Sequence, residues 1–362
     1  MKKILRNPKG SKDWLPDEVI KQDHVKNILS SVFELWGYRP IQTPILINWD
    51  TLQVGSNKLS DIAFKLIGQQ GELLGLRADL TTPIARVTAE RLQNQALPFR
   101  FYYIGKVFRY HARHTTNERE LYQIGIELIG AKEGASDLEC LKILIDSLEK
   151  LNIKDYLVLF NHTNIWNELF NYFGDIAKDL YKALSQKDFI RFNSILENSN
   201  LSKNERSFWK TLVTIKGGKS AVQDFKNLLK KLKNFNLTKI FMYLNPVFEL
   251  FDKKNAEIDF SLTSDLDYYT GIYFEVLTPN LGRVIGSGGR YDLLITKFGY
   301  DVPAIGFQLC VEDLLLVLEK QGKVFSTFKP PKLIPLNKNL KATFNTITKL
   351  HRQKKHATLK LT

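Results

Sequence analysis

Two strand-like segments joined by a polar loop constrain the fold of this chain more than any other feature of its 362 residues. Residues 98–109 are aromatic and rich in β-formers, and residues 121–129 form a second strand pattern. The run between them, 109–118, is polar and uneven, which is typical of a long hairpin loop. Consecutive strands of this kind pair antiparallel, so the sequence does not predict the strand–helix alternation of a doubly wound fold.

The other periodic patterns complete an α+β layout. Apolar residues at helical spacing predict helices over 18–36, 82–93, 136–151 and 311–321. Strand patterns lie at 38–46, 72–77, 156–160, 256–262, 271–277 and 283–287. We therefore expect an α+β fold in which an antiparallel sheet is flanked by helices.

The chain divides into a core, an insertion and a tail. Residues 163–240 contain several helical patterns with little strand character, which predicts a helical insertion within a core of residues 1–325. Residues 326–362 begin with a proline-rich linker and continue as a short, basic, polar tail. A segment of this size is too small to form an independent core without help.

The net charge of +14 is concentrated in two places. Residues 201–240 contain ten Lys and Arg against Glu205 and Asp224, and the tail 326–362 contains nine and no acid. The remaining body of the chain is slightly acidic. This distribution argues against a dedicated tRNA-binding face, and it suits a solvated surface or a tail that binds polyanions without specificity.

Composition also excludes several classes of protein. Cys140 and Cys310 are far apart in apolar surroundings, so both are expected to be buried rather than cross-linked. No apolar run approaches the length of about 18 residues that spans a bilayer. The N-terminal residues 1–8 are basic without an apolar stretch behind them. We therefore expect no membrane association and a cytoplasmic location.

No metal or cofactor is expected. His111 and His114 lie in a polar loop with no third ligand nearby, which is typical of solvated side chains. The glycines of 286–290 are bracketed by strands and match neither a phosphate-binding loop nor a dinucleotide fingerprint. Arg290 and Asp292, at the end of that segment, are candidates for a structural ion pair.

Two local patterns suggest a polar ligand site. Gln123, Gly125 and Glu127 alternate along a strand and therefore share one face, with Gly125 leaving room above the sheet. Asp79 and Thr81 place a carboxylate and a hydroxyl two residues apart. A solvated strand face and a helix cap are the structural alternatives, and a cap can coexist with a ligand site.

In order and spacing, these and other segments resemble the catalytic core of class II histidyl-tRNA synthetases. They are still more similar to the paralogous family, the regulatory subunits of ATP phosphoribosyltransferase. The resemblance covers residues 8 to 325 and implies a class II aminoacyl-tRNA synthetase-like fold. It rests on the N-terminal run 7–16, on 36–44 as motif 1, on 108–127 as motif 2, on Leu76–Arg86, on Asp259–Gly271 and on Gly-Gly-Arg-Tyr-Asp at 288–292.

The resemblance is weakest where a synthetase would bind ATP. Synthetases stabilise charge on the α-phosphate with arginines, each typically worth about 3–4 kcal/mol. Of these arginines the motif 2 residue survives as Arg109, while the others fall on Ser264, Asp313 and Asn117. Asp313 is expected to repel a nucleotide. No catalytic residue is therefore expected.

The half of the site that would hold histidine is mostly retained. By resemblance its residues are Asp79, Thr81, Arg109, Gln123, Glu127, Tyr268 and Tyr269. The resemblance implies that carboxylates meet the α-amino group and the imidazole, that arginine meets the α-carboxylate and that tyrosine covers the ring. Taken alone, the two tyrosines are also typical of core aromatics.

The function implied by the resemblance is regulatory. The chain is expected to be a non-catalytic regulatory subunit, a homodimer within a hetero-oligomer that includes a short-form ATP phosphoribosyltransferase catalytic subunit. L-histidine is the expected feedback effector. tRNA is not an expected partner. An anticodon-binding domain needs about 90 residues, and only 35 remain from Phe328 onward.

Two alternatives remain open from the sequence. The first is a divergent histidyl-tRNA synthetase that recovers activation through another cation. The second is a synthetase-like adaptor that binds RNA or protein through residues 201–240 and the basic tail.

Overall fold

The computed structural model describes residues 6–110, 118–230, 232, 238–251, 255–264, 268–325, 330–337 and 339–360. It contains two compact units. The first consists of the segment that ends at Asp13 together with His24–Lys323, and the second of Trp14–Asp23 with the chain from Val324 onward. No helix among the described residues combines the length and the hydropathy needed to cross a membrane.

The helices and strands follow in chain order. The helices are α1 (Pro16–Leu35), α2 (Trp49–Gly55), α3 (Asn57–Ile62), α4 (Thr81–Arg91), α5 (Ala135–Lys150), α6 (Thr163–Phe173), α7 (Asp175–Ser185), α8 (Phe189–Glu197), α9 (Lys203–Leu212), α10 (Lys219–Leu229), α11 (Thr238–Leu250), α12 (Asp292–Thr296), α13 (Val311–Lys320) and α14 (Leu340–Arg352). The strands are β1 (Arg39–Pro40), β2 (Leu46–Asn48), β3 (Lys65–Ile67), β4 (Leu73–Leu76), β5 (Phe99–Phe108), β6 (Glu120–Ile129), β7 (Leu157–His162), β8 (Lys216–Gly217), β9 (Ala256–Asp259), β10 (Ile272–Thr278), β11 (Arg283–Arg290), β12 (Ala304–Cys310), β13 (Lys332–Pro335) and β14 (Ala357–Lys360).

A nine-stranded sheet forms the centre of the first unit, in the order β1-β5-β6-β12-β11-β10-β7-β9-β8. The predicted hairpin is confirmed: β5 and β6 pair antiparallel along their whole length, from Phe99 opposite Ile129 to Phe108 opposite Glu120. The three-stranded sheet β2-β4-β3 is separate from it.

The central sheet is mixed, because two parallel pairs lie among the antiparallel pairs expected from the sequence. β1 pairs parallel with β5, and β7 pairs parallel with β9. Parallel neighbours require a long crossover between them. The chain from β7 to β9 supplies one, because it contains α6 to α11. Alternation of side chains has the same period in either strand direction, so it could not reveal this pairing.

The two faces of the central sheet carry different side chains. On one face Phe33 of α1 packs its ring against Tyr102 and Phe307, at centroid distances of 5.8 and 6.0 Å. Successive residues of a strand point to opposite faces. Glu127, which follows Ile126 opposite Tyr102 and Phe307, therefore lies on the other face.

The helices between β7 and β9 have their own aromatic core. Trp166 of α6 and Trp209 of α9 are buried and stack with their ring centroids 6.0 Å apart. Tyr181 of α7 packs edge-on against Trp166 at 4.9 Å. The two-residue strand β8 pairs with β9 at the edge of the central sheet. The sequence, which predicted only helices in residues 163–240, did not indicate this strand.

The second unit has regular structure where the sequence predicted a linker and a basic tail. β13 and β14 pair parallel, with Ile334 opposite Leu359. The connection between them is α14, which buries Thr343 and Ile347. Few apolar residues in short runs specify these elements, so the patterns were too weak to be recognised from sequence.

Candidate functional site

The candidate site lies on the face of the central sheet opposite Phe33, where glycines leave space for neighbouring side chains. Glu127 on β6 stands opposite Gly306 on β12, and Gly306 stands opposite Gly289 on β11. A Cβ atom on Gly306 would overlap the Glu127 carboxylate, and one on Gly289 would lie 2.8 Å from the Tyr269 ring. The Glu127 and Tyr269 side chains therefore lie across the backbone of adjacent strands.

Glu127 is the polar centre of the site and is only 1% exposed. The Thr81 hydroxyl donates a hydrogen bond of 2.7 Å to its Oε1, and the Tyr291 hydroxyl donates to its Oε2. Burial raises the pKa of Glu127 to about 8, although both hydrogen bonds favour the charged form. Near neutral pH this group is therefore present both as the carboxylic acid, which can donate a hydrogen bond, and as the carboxylate, which only accepts.

Asp79 caps the helix that carries Thr81. Its Oδ2 accepts hydrogen bonds from the backbone N–H and the hydroxyl of Thr82, at 3.0 and 2.9 Å. The helix cap left open by the sequence is therefore provided by Asp79, whereas the Thr81 side chain bonds to Glu127. Among the described residues Asp79 Oδ1 has no hydrogen-bond partner, although it is buried. Burial raises the pKa of Asp79, and the charges of Arg109 and Arg77 oppose this shift.

The two arginines near Asp79 differ in their exposure. Arg77 is buried, and its guanidinium donates to the carbonyl oxygens of Thr43 and Lys106, at 2.5 and 2.8 Å. Arg109 donates through Nε to the carbonyl oxygen of Ala78 at 3.1 Å and is partly exposed. Arg109 is thus the more exposed of the two, whereas Arg77 is held inside the fold.

Tyr268 and Tyr269 both reach the site. Tyr268 is buried in the apolar cluster beside the site and contacts Tyr269 edge-on at 5.1 Å and Tyr291 at 5.9 Å. Tyr269 is partly buried and stacks with Tyr273 at 6.1 Å. The core and ligand interpretations of these tyrosines are therefore compatible, since both rings border the carboxyl groups.

Comparisons with known proteins identify the family of the chain. The family model described as histidyl-tRNA synthetase matches residues 10–314. The ATP phosphoribosyltransferase regulatory subunit of Carboxydothermus hydrogenoformans is 33% identical over 320 residues, which cover 85% of this chain and 95% of that protein. The chain belongs to the ATP phosphoribosyltransferase regulatory subunit family.

Solved structures confirm the class II synthetase-like fold expected from the sequence. The crystal structure of an ATP phosphoribosyltransferase regulatory subunit/histidyl-tRNA synthetase from Bacillus halodurans matches with a TM-score of 0.87 and 27% identity, covering 98% of this chain and 92% of that one. Histidyl-tRNA synthetase from Nostoc sp. PCC 7120 matches in fold, with a TM-score of 0.78 and 22% identity over 99% of this chain and 86% of that one.

The described positions where the sequence resemblance expects synthetase arginines are engaged in other contacts. The backbone N–H of Ser264 donates to the Tyr181 hydroxyl at 3.2 Å. Asp313 forms an ion pair with Arg283. The expected repulsion of a nucleotide by Asp313 is therefore reduced, because the pair has no net charge. Asn117, like His111 and His114, lies outside the described residues.

The open space expected above Gly125 is absent. A Cβ atom there would overlap the Phe307 carbonyl and would lie 2.7 Å from the Tyr103 hydroxyl. Tyr103 stands opposite Gly125 in the hairpin and fills the gap. Gln123, two residues along the same face, is buried.

Two residues of the site were missed from the sequence, Tyr103 and Tyr291. Tyr103 could have been found from the hairpin register, whereas Tyr291 was quoted within a motif but given no role. The structural pair suggested for Arg290 and Asp292 is confirmed, at 2.9 Å. Arg290 is also bound to buried Asp137 at 2.6 Å. The described residues contain no cluster of potential metal ligands.

Proposed function

We propose that this chain is a non-catalytic regulatory subunit of ATP phosphoribosyltransferase. In this proposal it associates with a short-form catalytic subunit, which depends on it for activity in the first step of histidine biosynthesis. It binds L-histidine in the pocket around Asp79, Thr81 and Glu127 and transmits feedback inhibition. The assembly is a hetero-oligomer in the cytoplasm that contains a homodimer of this chain.

The unpartnered oxygen of Asp79 is the observation that carries the proposal. A buried acceptor without a donor costs free energy, which a ligand N–H can recover. The α-amino group of an amino acid has the required donors and charge. Arg109 beside it supplies a cation for the α-carboxylate.

The rest of the pocket suits an imidazole. Glu127 offers two oxygens that already accept from Thr81 and Tyr291, and its raised pKa lets it share a proton with a ring nitrogen near neutral pH. The ring of Tyr268 borders this group. We propose that Gln123 and Tyr269 complete the contacts to histidine.

The contacts at the former ATP side support a non-catalytic role. Neither Ser264 nor Asp313 can supply a cation for phosphate. A divergent synthetase would need another cation in place of the synthetase arginines, and Arg283 is a candidate. Its charge, however, is matched by Asp313. Transition-state charge would thus lack stabilisation worth several powers of ten in rate. We infer that adenylate formation and tRNA charging are not activities of this chain.

Isothermal titration calorimetry tests the proposal. L-histidine is expected to bind the purified chain, and ATP is not. Glu127→Gln should weaken histidine binding about tenfold or more, because a charge-assisted hydrogen bond is lost. Glu120→Gln on the opposite face of the same strand is the matched control and should bind like the unaltered chain. Binding of ATP together with adenylate formation would replace this proposal by the divergent synthetase, and failure to bind histidine would remove the pocket as a sensor.

A further inference from the structure

The helical insertion contacts the chain on both sides of Tyr268 and Tyr269. Before the tyrosines it is bonded to Ser264 through Tyr181 of α7, and after them to Gly271 through Thr163 of α6. We propose that the insertion positions the two pocket tyrosines and that Tyr181 is the positioning residue. The choice of ligand rests on the proposed function, whereas the mechanical claim does not.

The contact at Ser264 is made by a rigid side chain. The backbone N–H of Ser264 donates to Tyr181 Oη at 3.2 Å, and that hydroxyl lies 3.4 Å from the Ser264 carbonyl oxygen. The Tyr181 ring is wedged edge-on against Trp166 at 4.9 Å and Phe170 at 5.5 Å. Because its ring cannot swing without disturbing the aromatic core, the hydroxyl transmits the position of α6 and α7 to Ser264.

The contact at Gly271 comes from the first residue of the insertion. The backbone N–H of Thr163 donates to the Gly271 carbonyl oxygen at 3.0 Å. This end of α6 is itself fixed, since the preceding His162 accepts from the Asn164 N–H at 3.2 Å and contacts Glu133 at 2.9 Å. The tyrosines are therefore followed by a backbone position tied to the start of the insertion.

On the C-terminal side of the tyrosines the central sheet holds Thr270, whose backbone N–H donates to the Arg290 carbonyl oxygen at 2.8 Å. On their N-terminal side the sheet holds Leu262. Its carbonyl oxygen accepts from Asn161 Nδ2 at 3.0 Å and from the Tyr273 hydroxyl, both on strands of the sheet. Ser264 lies two residues beyond this attachment and is held by the insertion. A movement of the insertion would thus reach the N-terminal side of Tyr268 and Tyr269 through Ser264.

Hydrogen exchange in the absence of ligand tests the mechanical claim. Tyr181→Phe keeps the ring and removes the hydroxyl, so the amides of Ser264, Tyr268 and Tyr269 should exchange about fivefold faster or more, the change expected for one hydrogen bond. Amides of α9 should be unaffected. Tyr172→Phe, the same change at an exposed position of the insertion, should leave all of them unchanged. Unaltered exchange at Ser264, Tyr268 and Tyr269 in Tyr181→Phe would overturn the proposal.

The affinity for histidine distinguishes a positioning role of Tyr181 from a purely structural one, because a purely structural role would not change it. Tyr181→Phe should weaken histidine binding about fivefold without a matching loss of thermal stability. By reciprocity, histidine should slow amide exchange in α7 of the unaltered chain, and this effect should be lost in Tyr181→Phe. An affinity equal to that of the Tyr172→Phe control would also overturn the proposal. If the unaltered chain binds no histidine, the proposed function fails, and the ligand-free exchange still decides whether the insertion holds the tyrosines.

Discussion

Asp313 at the start of α13 is bound to Arg283 at the start of β11, and the side chains of both are largely buried, 14% and 13% exposed. An anion therefore stands where the synthetase resemblance places an arginine, and a cation from another strand neutralises it. The pair ties α13 to the sheet. The position where the resemblance expects a phosphate-binding cation thus carries a structural contact.

Removing the negative member of this pair should destabilise the fold. Asp313→Asn leaves Arg283 largely buried with a weaker acceptor, which typically costs about 1–3 kcal/mol in the free energy of unfolding. Urea denaturation measures this cost. Asp175→Asn removes an acid whose ion pair with Lys178 is exposed and should be nearly neutral. Equal effects of the two substitutions would show that the Asp313 pair has no special structural role.

Gly306 should be required for the position of Glu127. In Gly306→Ala the new methyl group overlaps the carboxylate, so Glu127 must move away from Thr81 and Tyr291. Overpacking of this kind costs about 1–3 kcal/mol, and histidine affinity should fall with it. Gly218→Ala, where a Cβ meets no atom within 4 Å, is the control. Calorimetry and thermal unfolding would contradict the arrangement if both alanines behaved alike.

The buried carboxyl of Glu127 should make stability depend on pH. Its folded pKa of about 8 lies above the ordinary value of 4.5. Between these values the folded chain binds more protons than the unfolded chain, so the free energy of unfolding falls as pH rises. Glu127→Gln removes this titration. The stability of the unaltered chain relative to the variant should therefore decline from about pH 5 to about pH 8, as urea denaturation would measure. A constant difference across this range would show that Glu127 is ionised throughout.

The ion pair of Arg290 and Asp137 should be among the most sensitive contacts of the core. Both side chains are nearly inaccessible, and Arg290 also donates to Ser136 at 2.6 Å. Breaking one side of a buried pair costs about 3–5 kcal/mol, so Asp137→Asn should lower the unfolding midpoint strongly. Lys178→Met, which breaks an exposed pair, should not. A small effect of Asp137→Asn would mean that water or another acceptor replaces the carboxylate.

The sequence predicted the elements better than their directions. The hairpin of β5 and β6 followed from two strand patterns with a polar loop between them. The parallel pairs of β1 with β5 and of β7 with β9 did not, because side-chain alternation is the same for both directions and these partners are distant in sequence. Sheet order is a property of the whole fold.

The site shows the same division between local and distant information. Asp79, Thr81 and Glu127 were predicted as ligand residues, and the structure brings their side chains close to one another. Tyr291 comes from beyond the insertion, and only the order β6-β12-β11 brings it to Glu127. The prediction of open space above Gly125 was wrong. A glycine in a strand indicates that another group approaches the backbone closely, but it does not show whether that group is a ligand or, as here, the Tyr103 side chain.

Reconstitution with a short-form ATP phosphoribosyltransferase catalytic subunit of the same organism tests whether this chain is a regulatory subunit that responds to histidine. The measured quantity is the rate of phosphoribosyl transfer to ATP with and without this chain, and then with L-histidine. The chain should raise this rate, and histidine should lower it. Glu127→Gln should weaken the response to histidine, whereas Glu120→Gln should not. A rate of phosphoribosyl transfer that is independent of this chain would contradict its role as a regulatory subunit.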